Sequence, residues 1–147
     1  MAFDRQGTGL TLLRILLGVF FLLQGLGNLP WLLDASPLSQ QLSTWQHGVR
    51  AGSISAQYLQ RVAVPFAAVL ARLIPLGEIG AGLAMIAGFW TSLFAFIAFV
   101  MVVNFHIASG AIFTYGFLTN PYGLPVLGGT LALAVGGVRL PWSMRSY

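Results

Sequence analysis

The chain has 147 residues, of which 57% are hydrophobic and 7% charged, with a mean hydropathy of +0.84. That leaves too little polar surface to cover a soluble globule, so the chain belongs in a bilayer. Seven arginines stand against Asp4, Asp34 and Glu78, a net charge of +4, but they are scattered and form no basic patch for nucleic acid. The lack of cysteine excludes disulfides, thiolate catalysis, cysteine-ligated iron–sulfur clusters and covalently attached haem within the chain.

Four apolar runs have the length that spans about 30 Å of hydrocarbon at about 1.5 Å per residue. The first covers about 10–29. It is too long for a signal peptide, Arg14 interrupts it and no small-residue cleavage motif follows. The next segment, "DASPLSQQLSTWQHGVRAGSISAQYLQ", is polar and rich in Ser and Gln, so an exposed outer loop over about 34–60 is expected, with at most one short interfacial helix. The second and third runs cover about 65–89 and 92–109. The turn "FTYGFLTNPYG" leads into a fourth at about 124–140. No period-2 alternation supports a barrel, so the expected fold is all-α, a single-domain integral membrane bundle of four transmembrane helices.

Tryptophans favour the membrane interface, and Trp31, Trp90 and Trp142 fall at expected helix ends while Trp45 falls in the loop. Four spans put both termini on one side, and Arg5, Arg139 and Arg145 favour the cytoplasm for it, against Arg50 and Arg61 at the loop. Small residues mark where membrane helices touch. Gly80, Ala84 and Gly88 in the second span, and Gly128, Ala132 and Gly136 in the fourth, are the expected contact ridges.

An ionised residue at mid-membrane costs about 2.5–3.5 kcal/mol, so Arg14, Arg72 and Glu78 each need a partner, water or neutralisation. Arg72 and Glu78 are six residues apart, about 120° around the helix, and do not face each other. Counted from the helix ends, Arg14 is about 7 Å deep and Glu78 about 15 Å, a gap an arginine side chain can largely close, so Arg14 is the expected partner of Glu78. Arg14 shares a face with Gly18, Phe21, Gly25 and Asn28, with Gln24 at its edge, and Glu78 shares one with Pro75, Ala81, Gly82 and Met85. Arg72 falls at the height of Asn104 and His106, and the three would form an outward-opening polar pocket for an anion or a quinone carbonyl. Gln24, Asn104 and Tyr115 are candidate ligand contacts; Glu78, Arg14, Arg72 and His106 are candidate catalytic groups. His47 lies in a polar loop as a solvated residue, and the two histidines are badly placed for a haem. No phosphate loop, metal-ligand spacing or nucleophile elbow is present.

The stretches "RILLGVFFLLQGLGNL" and "GEIGAGLAMIAGFWT", followed by "NFHIASG" and "NPYG", resemble in order the motifs of the DoxX/DoxD-like membrane proteins over nearly the whole chain. The sequence departs from that pattern at Asn28, where a lysine is usual, at "FWTS", which lacks a following arginine, and at Ala81 in place of a glycine. The resemblance implies a bacterial or archaeal cytoplasmic-membrane subunit, linked in some members to thiosulfate oxidation with quinone as acceptor. Three readings follow. One is a subunit of a quinone-linked oxidoreductase, its partner chain carrying part of the chemistry. Another is a non-catalytic membrane anchor or assembly partner of a soluble oxidoreductase; a homo-oligomer is a separate possibility. The third is an intramembrane lipid or quinone binder.

Overall fold

A computed structural model describes residues 5–144, so Asp4 and Arg145 lie outside the described residues. The elements are α1 (Arg5–Gly27), a 3-10 turn (Leu29–Leu32), α2 (Ser36–Gly48), α3 (Ile54–Tyr58) running into a π-type turn (Leu59–Ala63), α4 (Ala67–Ala87), α5 (Thr91–Ala108), α6 (Tyr115–Thr119) and α7 (Leu124–Gly136). No strand occurs among the described residues. Helices α1, α4 and α5 are each long and apolar enough to cross a membrane. Leu16, Leu23, Leu73, Leu76, Phe96 and Val100 are exposed on their outer faces, as lipid contact requires.

The fourth run forms a shorter helix than expected. Its α7 is 13 residues, about 20 Å, because Gly136 and Gly137 end it and Pro141 follows. The Gly137 amide closes the last turn on the Leu133 carbonyl at 2.8 Å, and residues 138–144 then return across the start of α1. Thr11 Oγ1 donates to the Pro141 carbonyl at 3.2 Å, and the Met144 amide to Ala87 at 3.0 Å. Both ends of the described chain therefore meet at one end of the bundle, the terminal end. The opposite pole is the loop end.

The expected exposed loop is folded and packed instead. Within its polar sequence, Leu38, Leu42 and Trp45 recur at helical spacing, and α2 buries Leu38 and Leu42 against Leu59, Ala63, Ala67 and Ala71. The segment thus caps the loop end with its own small core. The Asp34 carboxylate accepts the Ser36 amide at 2.9 Å at the start of α2, and hydrogen bonds from Ser36 hold this exposed carboxyl below its usual range.

The register of α1 on α4 is set by glycines other than those expected. A Cβ on Gly82 would come within 2.5 Å of the Leu22 amide nitrogen, one on Gly18 within 2.9 Å of the Gly82 carbonyl, and one on Gly25 within 2.8 Å of the Ile79 amide. Gly80 and Gly128, from the expected ridges, have nothing within 4 Å, and Ala132 is exposed; Ala84 and Gly88 are buried. The ridge assigned to α4 is thus rotated toward Gly82, and that assigned to α7 toward Gly129, whose Cβ would meet Leu17 at 2.9 Å.

Gly82→Leu and Gly18→Leu should each lower stability by about 1–3 kcal/mol or prevent assembly, because backbone cannot move aside. Gly80→Leu and Gly128→Leu should lie within about 0.5 kcal/mol of the wild type, as read by unfolding in mixed detergent. Because the Asp34 carboxyl is held low by Ser36, its support for α2 is present at neutral pH and lost as the pH falls through that lowered value. Hydrogen exchange at the start of α2 should quicken in acid, and Asp34→Ala should remove that dependence.

Candidate ligand cavity and the intramembrane charges

Arg14 is fully buried, yet it does not meet Glu78. Its Nη2 donates to the Trp142 carbonyl at 3.0 Å and its Nη1 to Ser143 Oγ, both at the terminal end. The guanidinium lies in the space left by Gly88, the left-handed (φ 71°) cap of α4, where any Cβ would overlap Nη1. A cation beside the last carbonyls of a helix is favoured by the helix dipole, so its compensation comes from backbone oxygens rather than a carboxylate. Among the described residues, Nε has no hydrogen-bond partner.

Glu78 is level with the other end of α1. A Cβ on Gly25 would touch the Glu78 Cβ at 2.9 Å, and Oε2 accepts from Asn28 Nδ2 at 2.8 Å. From Arg14 to Gly25 is eleven residues, about 16 Å along α1. Depth counted from helix ends failed because α1 and α4 are staggered: α1 overhangs at the terminal end and α4 at the loop end. Asn28, where the resemblance expects a lysine, supplies a neutral amide to the carboxylate.

Glu78 lines a cavity of about 410 Å³ at the loop end, between α1, α4, α5 and the α2–α3 cap. Its polar groups include Gln24, Asn28, Gln41, Tyr58, Asn104 and His106, and its aromatic walls include Trp31, Trp45, Phe20 and Phe105. Phe20 stacks on Tyr122 (5.7 Å, 28°), and Trp45 meets Phe105 edge to face (5.2 Å, 86°). Tyr58 donates to the Asn104 side-chain oxygen, and burial raises the phenol's pKa, so it remains a neutral donor at ordinary pH. His106 is buried, its ring held edge-on by Phe105 and Phe117, with Nε2 3.1 Å from the Tyr122 carbonyl and Nδ1 without a partner among the described residues.

Of the expected site residues, Glu78, Gln24, Asn104 and His106 line one cavity, whereas Arg14, Arg72 and Tyr115 do not. Arg72 points outward, its Nη1 bonded at 2.5 Å to the Ala68 carbonyl one turn back, as an arginine does when its head seeks the membrane surface. The expected Arg72–Asn104–His106 pocket is therefore not formed. Tyr115 is 82% exposed on α6 and turned from the cavity. His47 is exposed, with Nδ1 2.7 Å from the Ser43 carbonyl. Sequence reasoning missed Tyr58, Gln41, Trp31 and Trp45, all in the segment read as loop or at its edge. The Leu38–Leu42–Trp45 spacing was the available signal.

These features define an integral membrane helical bundle with a part-polar cavity inside its loop end. The DoxX family model matches residues 9–107, about two thirds of the chain, and the chain belongs to the DoxX family. No curated protein and no solved structure matches it.

Arg14→Gln should destabilise the fold by about 1–3 kcal/mol through lost charged hydrogen bonds to Trp142 and Ser143. Combined with Glu78→Gln, the effects should add within about 0.5 kcal/mol, because groups so far apart share no partner. A larger coupling energy in that double-mutant cycle would show that the two charges interact.

Proposed function

We propose that this chain is the membrane subunit of a quinone-linked oxidoreductase and that the cavity receives the quinone ring. The observation that carries the reading is the joining, in one cavity, of a carboxylate, neutral donors and aromatic walls. Its volume lies within the range of about 300–1,000 Å³ usual for small-ligand sites. A bound quinone would supply two-electron, two-proton redox chemistry. Trp31, Trp45 and Phe20 line it with aromatic rings against which a quinone ring can pack. Asn104, held by Tyr58, offers its amide hydrogens to a carbonyl oxygen, and Glu78, steadied by Asn28, is the group able to give or take a proton. With no cysteine in the chain, electrons would arrive from a partner subunit.

The described lining contains no arginine or lysine, and Arg72 faces away. A dianion such as thiosulfate therefore finds no countercharge here. If thiosulfate is the donor, its oxidation belongs on the partner. Both ends of the chain lie in the cytoplasm in this reading, since Arg5 and Arg139 sit at the terminal end, and the membrane is the bacterial or archaeal cytoplasmic membrane.

The protein, extracted from its native membrane in mild detergent, should carry quinone close to stoichiometrically by mass spectrometry, together with a partner chain. Glu78→Gln should keep the quinone but cut quinone-dependent turnover about 100-fold, the scale of a lost acid–base group. An empty cavity with a bound partner and unchanged Glu78→Gln turnover would instead make the chain an anchor. Orientation is testable because the natural chain has no thiol. Ser39→Cys should react with an impermeant maleimide on intact cells, and Met144→Cys only after permeabilisation.

A further inference from the structure

Glu78 is the one carboxyl side chain in the described lining of a cavity that has no opposing arginine or lysine. Its Oε2 accepts from Asn28, which is neutral, and its Oε1 accepts no hydrogen bond among the described residues. The two arginines of the spans are spoken for elsewhere. Arg14 is about 16 Å away along α1, bound to the C-terminal segment, and Arg72 points to the outside of the bundle. The same cavity is lined by aromatic rings from several elements: Phe20 of α1, Trp31 of the turn, Trp45 of α2 and Phe105 of α5. A carboxylate in a cavity lined by aromatic rings attracts a weakly hydrated cation by Coulomb and cation–π terms together.

We propose that the cavity is also a site for lipophilic organic monocations bearing an aromatic ring, with the Glu78 carboxylate as counter-ion. The single carboxylate sets the charge at one, and the apolar walls require a cation that reaches the cavity with little hydration to lose. When Glu78 carries a proton, entry of the cation releases that proton, so the charge of the occupied cavity is unchanged and the event is a cation-for-proton exchange. The other titratable groups facing the cavity are Tyr58 from α3, His106 from α5 and Tyr122 from the turn before α7. Tyr58 and His106 are each engaged with a neutral oxygen, of Asn104 and of Tyr122, and the Tyr122 ring stacks on Phe20. The described residues of α1 and α2 that line it carry no titratable side chain. This binding does not depend on the quinone reading.

The test uses the full chain in lipid nanodiscs with a radiolabelled N-benzyl-N-decyl-dimethylammonium probe, against empty nanodiscs as the lipid background. The wild type should bind saturably, and the neutral carbon isostere of the probe should fail to displace it. Glu78→Gln should weaken binding about tenfold or more, while Arg72→Ala, outside the cavity, should leave it unchanged. Uptake no greater than that of empty nanodiscs, or displacement of the probe by the neutral isostere, overturns the proposal. The isostere comparison needs no variant and stands even if Glu78→Gln does not fold. Saturable cation binding by protein that carries no quinone would separate this site from the redox reading.

Discussion

At Gly18, Gly82 and Gly25 the backbones of α1 and α4 touch, with no room for even a methyl group between them. Lipid gives helices no hydrophobic reason to associate, so the contact relies on close van der Waals approach, which a rigid steric match provides at one register only. That register staggers the two helices in opposite directions. The overhang of α1 at the terminal end leaves a ledge that residues 138–144 cover. The overhang of α4 at the loop end leaves a second ledge, covered by the 3-10 turn, α2 and α3. The cavity is the space under that second cover, and Glu78 sits where the shared section of α1 and α4 stops.

The same stagger separates the two intramembrane charges into different chemical settings. Arg14 lies against the carbonyl end of a helix and a returning strand of backbone, an environment of fixed dipoles that suits a permanently charged group. Glu78 lies against one amide and an open volume, an environment that can change its occupant. A direct pair would have used each to neutralise the other and left the cavity without a reactive group. Arg72 completes the picture from outside: it stays in its helix by turning back along it toward the surface.

Much of this was legible in the residues. The apolar runs located α1, α4 and α5, and the helical spacing correctly gave the bundle-facing sides of Arg14 and Glu78, because side-chain direction on a helix follows from local geometry. The partners of those residues were not legible. Pairing depends on how far one helix slides along another, and that distance is set by which glycine meets which backbone, a fact with no local signature. Gly80 and Gly82 differ by two positions and look alike in sequence, yet one faces open space and the other a backbone amide. A partner that is a main-chain carbonyl, as Trp142 is for Arg14, leaves no trace in residue type at all. The α2 cap was misread for another reason. Its overall polarity masked three apolar positions at helical spacing, and a polar composition describes a helix lying over a bundle as well as it describes a loop.

The Arg14 contacts also bear on how the chain is made. They join residues 128 and 129 positions apart, so the guanidinium enters the bilayer early while its acceptors are synthesised late. At about 5–20 residues per second that interval is roughly 6–25 s, during which the first helix carries a charge with only water or headgroups to satisfy it. A chain cut short before Trp142 would keep that defect permanently. The helix that carries Arg14 thus stays ill-suited to the membrane until Trp142 and Ser143, far along the chain, have been delivered to it.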